Sequence, residues 1–293
     1  MTLLSIVVPI RDMGGRLDPL FEWVKIALKN GCEVVLVHDY ADSITELELT
    51  IFIKTESANN LVFLSGSFNS PGLARNEGMA RVSGEFVAFW DSDDLPDVEE
   101  MLQLAQQCKD SCYDIGIGGF LTLDEDNQVL NVFTTSFQSS IEKIAMYPGL
   151  WRMVFKASIL ANVRFSNLLL AEDQLFLAMT HPAERKILFS DSIVYRYKVK
   201  QKGALTTNKQ NTRDLVTALQ KFTFLLRDQS YKPDLRFILA LFVKNSLTVM
   251  KAGNNQDRLR VLILFNKVAL RYLPSVVVIF AAVVNLKRNV KSR

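Results

Sequence analysis

Gly84-Glu85-Phe86-Val87-Ala88-Phe89-Trp90-Asp91-Ser92-Asp93-Asp94 is the stretch that decides how the chain folds. The run from Glu85 to Trp90 is mostly apolar, as in a strand covered on both faces, and it ends directly in carboxylates. Carboxylates so close together repel one another and cost stability unless a cation or hydrogen-bond donors compensate. A hard divalent cation with oxygen ligands resolves that conflict. Typically the protein supplies one or two carboxylates and a diphosphate supplies other ligands. The plainer alternative is a solvated turn that caps the following helix through Asp94 or Asp97.

Upstream of that strand the pattern repeats. Residues 4–9 form a continuous apolar run, and Leu17, Leu20, Phe21, Val24 and Leu28 recur at helical spacing until Gly31 stops them. Residues 33–38 give a second strand and 61–64 a third. A helix over 71–82 follows, with Pro71 at its first turn. Strands alternating with helices predict an α/β protein with a parallel sheet and helices on both faces. Ligands of such sheets bind at the carboxyl ends of the strands, which is where Asp91, Asp93 and Asp94 lie.

Downstream the pattern is less regular. Residues 113–123 and 129–134 read as strands joined by an Asp124-Glu125-Asp126-Asn127 turn. Helical stretches are expected around Ile141, Phe155 and Asp173, then short strands at 187–189 and 193–197. From Asn211 the chain reads as helical to its end, with breaks at Pro233, Gly253 and Pro274. The spacing contains no internal repeat or low-complexity tract.

The 293 residues are 49% hydrophobic and 22% charged, which calls for a packed core and excludes disorder. The formal net charge is +3, but it is unevenly placed. From Lys251 to the end there are nine Lys or Arg against one acid, Asp257, whereas residues 1–250 hold 25 basic and 30 acidic side chains. The basic residues of the tail are interleaved with aliphatic ones, which fits an anionic lipid surface and argues against nucleic acid. Cys32, Cys108 and Cys112 have no histidine or second pair nearby to complete a zinc site, so they read as core or helix-surface thiols. The first residues read as a strand and lack the basic start and small-residue cleavage site of a signal peptide. A cytoplasmic protein is expected, peripheral on the inner face of the cell membrane.

Three further groupings carry chemistry. Glu172-Asp173 opens a helix after the apolar Leu168-Leu169-Leu170-Ala171. Its plain reading is an acidic first turn favoured by the helix dipole. Its functional reading is a general base taking a proton from an attacking hydroxyl. Ser70-Pro71-Gly72-Leu73-Ala74-Arg75-Asn76 could turn a helix N-terminus toward a phosphate or a base, or Arg75 could simply pair with Glu77 or Asp39. Tyr195-Arg196-Tyr197-Lys198, with Lys200 and Lys202 beyond, could hold a leaving diphosphate or be an ordinary solvated edge. His38 reads as a strand-end residue without a special role.

Taken in order, these segments resemble the family 2 inverting glycosyltransferases of GT-A fold, of the bacterial surface-polysaccharide type. The resemblance rests on Ser5-Ile6-Val7-Val8-Pro9, on Glu33 to Asp39, on Gly72-x-Ala74-Arg75-Asn76-x-Gly78, and on Gly84 to Asp94. Further on it is carried by Trp151-x-x-x-Phe155-x-x-x-Ile159, Phe165, Glu172-Asp173 and Tyr195-x-Tyr197. It covers residues 3–206. It implies a GT-A catalytic domain over 1–206, with 1–95 binding the nucleotide sugar and 96–206 the acceptor, and a basic, apolar helical region over 207–293. The nucleotide pocket would involve Pro9, Arg11, Asp39, Arg75, Asp91 and Lys198. Asp93, with Asp91, would hold Mn²⁺ or Mg²⁺. Asp173 would be the catalytic base with Glu172 beside it, and Trp151 would lie near the acceptor. Ile10-Arg11-Asp12 and Tyr40-Ala41-Asp42-Ser43 depart from the family, which usually has an aromatic and Asn after the proline and Asp-Asp-Gly-Ser after the second strand.

A nucleotide-sugar donor, expected to be a UDP-sugar, and a glycan or lipid-linked saccharide acceptor follow from this resemblance. Two rivals stand beside it. Gly14-Gly15-Arg16-Leu17-Asp18-Pro19-Leu20 resembles part of the phosphate loop of sugar nucleotidyltransferases but lacks the longer glycine loop and the Pro-Lys pair. A non-catalytic nucleotide-sugar or glycan-binding module would be expected to lose Asp93 or Asp173, and both are present. In the tail, residues 276–284 are unbroken apolar sequence before Lys287, Arg288, Lys291 and Arg293. Such a run falls short of the ~20 residues of a membrane-spanning helix. Segment 274–293 therefore reads as lying on an anionic membrane surface, serving a homodimer interface, or packing on the catalytic body.

Overall fold

Leu4, Ile6, Val7, Val8 and Ile10 are fully buried along β1 (Leu4–Ile10), as a strand covered on both faces must be. The computed structural model describes residues 2–40, 42–135, 141–199 and 212–291. The segment 200–211, with Lys200, Lys202 and the expected 206/207 boundary, lies outside the described residues, and so do the side chains of Lys287, Arg288 and Lys291 and all of Arg293.

Around β1 stand β2 (Glu33–Asp39), β3 (Leu61–Gly66) and β4 (Phe86–Phe89), all parallel to one another in the order β3-β2-β1-β4. The parallel part of the sheet is thus the βαβ arrangement that the alternating pattern demands. Beyond β4 the sheet turns mixed. β8 (Met153–Lys156) lies antiparallel between β4 and β6 (Ile115–Leu123). β9 (Ile187–Lys198) runs parallel to β6 and carries the short β5 (Leu95–Pro96) on its other side. β7 (Val129–Phe133) is a hairpin partner of β6. Helices α1 (Asp18–Lys29), α2 (Ser43–Glu56), α3 (Pro71–Met79) and α4 (Val98–Asp110) belong with this sheet.

Phe155 corrects one expectation. The spacing Trp151, Phe155, Ile159 looks helical, yet Met153, Val154 and Phe155 form a fully buried strand closing the gap between β4 and β6. A short apolar run cannot be assigned by period alone, and here tertiary pairing overrides it. The two short strands expected near 187 and 193 are one strand, β9, whose pairing with β6 shifts register around Gly119.

The chain divides into two units: 1–137 with 149–167 and 185–202, which hold the sheet, and 138–148 with 168–184 and 203–293, whose described elements are helices. The helical unit comprises α5 (Ile141–Met146), α6 (Glu172–Met179), α7 (Thr212–Leu225), α8 (Leu235–Ala252) and α9 (Asn255–Lys291). α9 continues through Pro274 as one element bent at Tyr272, so the expected break there is a kink.

Position in the sheet unit is set by close packing. Gly78 on α3 has no room for a side chain, since a Cβ there would stand 2.5 Å from Val7 Cγ1 and 3.1 Å from Val37 Cγ2. The helix therefore rides directly on β1 and β2 and brings Arg75 and Asn76 to the carboxyl ends of the strands.

Candidate active site

Trp90 follows β4 fully buried, edge-on to Trp23 at 5.1 Å between centroids, so the acidic turn after it leaves a rigid base. Three groups hold that turn. Arg75 Nη2 donates to Asp91 Oδ1 at 2.6 Å, with Arg75 itself buried. The Asp91 N–H donates to the Tyr195 hydroxyl at 3.1 Å. The Lys198 N–H donates to Asp94 Oδ1 at 2.7 Å. Strand β9 thus clamps the turn from one side and α3 from the other. Arg75 pairs with Asp91, a partner the plainer reading did not offer. Helix capping falls to Asp97, whose carboxylate accepts from Glu100 N at 3.2 Å.

The electrostatics match crowded, poorly hydrated carboxylates. Burial, and then the charge of Asp91, raises Asp93 to about pKa 6. Burial with the neighbouring charges of Asp93 and Asp91 pushes Asp94 well above the usual carboxylate range. Tyr195 is driven up as well, by burial and then by Asp94 and Asp91. Asp94 Oδ2 is buried without a hydrogen-bond partner of ordinary geometry, the Tyr195 hydroxyl being the neighbour able to supply one. A divalent cation fits here. Among the described residues no three His, Cys, Asp or Glu side chains converge to hold a metal. The protein would therefore contribute Asp93 and the free oxygen of Asp91, leaving the remaining positions to a diphosphate and water.

At the ends of β1 and β2 the nucleotide-side residues come together. Arg11 Nη1 meets Asp39 Oδ2 at 2.8 Å, and Asp39 Oδ1 accepts from Phe68 N at 2.7 Å and Asn69 N at 3.1 Å. Asp39 is 3% exposed and is mostly engaged with these partners, whereas Arg11 is open to solvent. Pro9 is half-buried one residue before the end of β1. The loop that resembles a phosphate loop is folded onto α2, with Gly15 N donating to the Glu48 carboxylate at 3.0 and 3.2 Å.

Asn76 and Phe165, two motif residues far apart in sequence, hold each other. Asn76 Nδ2 donates to Phe165 O at 2.9 Å and Phe165 N donates to Asn76 Oδ1 at 2.8 Å. The Phe165 ring sits edge-on to Phe89 at 5.1 Å and beneath the Arg75 guanidinium at 5.5 Å. Trp151 stacks with Tyr195 at 4.6 Å and Tyr197 at 5.5 Å and meets Phe120 edge-on at 4.8 Å. One aromatic cluster therefore links Trp151 to Asp91 through the Tyr195 hydroxyl. Sequence reading offered Tyr195 only as part of a motif. Its role as the anchor of the acidic turn has no local signal, because its partner is 104 residues away.

Glu172 and Asp173 lie in the helical unit, at the first turn of α6. Asp173 Oδ1 accepts from Gln174 N at 2.7 Å, and Gln174 Oε1 accepts from Asn245 Nδ2 of α8 at 2.8 Å. The preceding Ala171 has φ 66°, a left-handed conformation costly for a residue with a Cβ. Strain of that kind gathers at functional sites.

A family model described as Glycosyl transferase family 2 matches residues 5–157. Glycosyltransferase GlyA of Streptococcus pneumoniae is 19% identical over 247 residues, 78% of this chain and 35% of that protein. Poly(ribitol-phosphate) beta-glucosyltransferase of Bacillus spizizenii is 25% identical over 210 residues, 68% of this chain and 33% of that protein. The chain thus spans about a third of the length of each. Among solved structures, residues 1–349 of S. aureus TarS in complex with UDP-GlcNAc match with TM-score 0.69 at 16% identity, covering 98% of this chain and 92% of that one. The mannosyltransferase PcManGT from Pyrobaculum calidifontis, in complex with GDP-Man and Mn²⁺, matches with TM-score 0.55 at 16% identity over 96% and 85% of the two chains. These likenesses show the GT-A type of fold.

Proposed function

The chain belongs to glycosyl transferase family 2, and on that premise we propose that it moves a sugar, with inversion, from a nucleotide-sugar donor to an acceptor hydroxyl. The observation that carries this is the acidic turn Asp91–Asp94, held by Arg75, Tyr195 and the Lys198 backbone at the carboxyl end of a central strand. A UDP-sugar is the donor expected, its base lying over the Arg11–Asp39 pair near Pro9. Asp93 and the free oxygen of Asp91 would hold Mn²⁺ or Mg²⁺, which when bound offsets charge on the departing diphosphate. Arg75 holds one Asp91 oxygen and so aims the other outward, and the Lys198 ammonium adds a cation for the same diphosphate.

Inversion is then a single displacement. The acceptor oxygen forms its bond to the anomeric carbon as the bond to the phosphate oxygen breaks, and Asp173 takes the acceptor proton. Glu172 supports Asp173, and Trp151 borders the acceptor. The acceptor proposed is a glycan or a lipid-linked saccharide, and the name of one relative, poly(ribitol-phosphate) beta-glucosyltransferase, supports a place in bacterial cell-surface polysaccharide synthesis. Attachment at the inner face of the cell membrane, through 274–293, would bring the enzyme to such an acceptor.

The test is a panel of nucleotide sugars with Mn²⁺ and the purified chain, read by thermal stabilisation and by slow donor hydrolysis. One donor should both stabilise and be hydrolysed, with both effects lost in EDTA. Stabilisation without any turnover, even with acceptors supplied, would favour a non-catalytic nucleotide-sugar module. Full activity in excess EDTA would remove the metal.

A further inference from the structure

Arg227, Lys267 and Arg271, with Thr223 and Tyr272, are among the residues enclosing a pocket of about 210 Å³ within the helical unit. It forms where the end of α7 meets the bend of α9. Tyr272 leaves helical geometry there (φ −126°, ψ 26°), and its hydroxyl donates to the Leu226 carbonyl, which fixes the bend against α7. The space admits a phosphate group with a few waters.

The charge around this pocket is unbalanced. Among the described residues no carboxylate lines it, and none of the three cations is ion-paired with an acid. Asp228, the acid next in sequence, accepts at its Oδ1 from Ser230 N at 2.9 Å and from Ser230 Oγ at 2.7 Å. Lys267 and Arg271 are four residues apart on one helix face, a like-charge pairing that weakens a helix. The negative end of the α7 dipole accounts for one cation, not three. An anion in the pocket resolves the rest.

The rim says which kind of anion. Phe224 is 70% exposed, Leu270 88% and Leu273 58%, each next in sequence to a lining residue, and Val277 and Val278 farther along α9 are more than half exposed too. A small anion in water has no use for them; a phosphate carried on acyl chains does. α9 is long and apolar enough to cross a membrane by length and composition. Crossing would put Lys267 and Arg271 in mid-bilayer, where charge is expensive, and would strip Val261, Val268, Val276 and Ile279 from the protein that buries them. Lying along the surface leaves both cations at phosphate level.

We propose that this pocket binds the phosphate group of an anionic membrane lipid, with Phe224, Leu270 and Leu273 entering the acyl boundary. The site rests on the reading that this region meets a membrane, and it does not depend on which sugar is transferred. The experiment is flotation of the full chain with phosphatidylglycerol and with phosphatidylcholine vesicles, alongside the combined variant Arg227→Gln, Lys267→Gln, Arg271→Gln. The wild type should partition to the phosphatidylglycerol vesicles, and the variant should lose about two orders of magnitude, the product of three roughly fivefold contributions. A second variant, Phe224→Ser with Leu270→Ser, should keep the salt-sensitive part of binding and lose what survives high salt. Donor hydrolysis should be unchanged in both and serves as the check on folding. Wild-type protein that ignores both vesicle types defeats the membrane reading and the site together. Equal partition of wild type and charge variant defeats the site alone. Thermal stabilisation by millimolar inorganic phosphate that the charge variant loses, with no preference of the wild type for phosphatidylglycerol over phosphatidylcholine, would make the pocket a free-phosphate site and overturn the lipid assignment.

Discussion

Arg75 Nη2 and Asp91 Oδ1 stand 2.6 Å apart, and that pair joins the helix riding on Gly78 to the acidic turn after β4. Asp91 is 30% exposed in its side chain and Arg75 only 9%, so the pair presents one carboxylate oxygen outward on a buried cationic support. Arg75→Met keeps the stem and removes the charge. A charge-assisted hydrogen bond is worth about 1.5–3 kcal/mol, so kcat/KM should fall by roughly 10–100-fold. The loss should show mainly as weaker donor binding at limiting Mn²⁺. A variant as active as wild type at low Mn²⁺ would make the pair structural only.

Asp93 separates binding of the metal from folding. Asp93→Ala removes a carboxylate already raised to about 6 by burial and by Asp91, so the metal-free protein should be no less stable than wild type. Transfer should be abolished, together with the Mn²⁺-dependent part of donor stabilisation. Retained turnover of wild-type size would reassign the metal.

Asp173 makes a different prediction, because a general base is needed only as the acceptor attacks. Asp173→Asn should bind donor nearly normally while turnover drops ~10²–10⁴-fold. Isothermal titration with the donor, set beside initial rates, distinguishes the cases. Weak donor binding with modest loss of rate would place Asp173 among the donor-binding groups.

The strands around the site are legible because β1, β2 and β4 are built around apolar runs and three acids crowd the turn that follows β4. Legibility failed where the signal was not local. Nothing in the sequence marked α2, whose outward Ile44, Leu47 and Ile51 are more than half exposed and blur its amphipathic pattern. Phe155 read as helical because its neighbours recur every four residues, yet two strands on either side settle it as β8. In the site the acids could be found by spacing, but not their partners. Tyr195 meets Asp91 across 104 residues, and Asp39 is held by the backbone N–H groups of Phe68 and Asn69, donors every residue type possesses.

Gly78 yields a stability prediction free of the chemistry. Gly78→Ala would force a methyl to within 2.5 Å of Val7 Cγ1, so α3 must lift from the sheet. Overpacking of this kind costs about 1–3 kcal/mol, measurable as a lower urea midpoint with an unchanged slope. Because Arg75 moves with α3, donor affinity should fall in the same variant. An unchanged midpoint would mean the helix yields without cost.

His38 supplies a pH prediction. It was expected to be an unremarkable strand end, yet it is fully buried at the end of β2, edge-on to Tyr40, and neither ring nitrogen has a hydrogen-bond partner. Burial lowers its pKa below 6.5, outweighing the upward pull of Glu46, Asp42, Asp39 and Asp12. The sign follows from counting protons. Above pH 6.5 the imidazole is neutral whether the chain is folded or not, and it adds no slope. Below 6.5 the unfolded chain takes up a proton that the folded chain refuses until its own lower pKa is reached. Stability is therefore lost as the pH falls through that window, at up to about 1.4 kcal/mol per pH unit. His38→Leu keeps the site apolar and removes both unpaired nitrogens. Urea midpoints from pH 7.5 down to 5 should decline less steeply in the variant than in wild type. At pH 7.5 the variant should be at least as stable, since no buried polar group is left unsatisfied. Parallel declines in the two proteins would mean that His38 is protonated in the folded state, with one of the surrounding carboxylates as its partner.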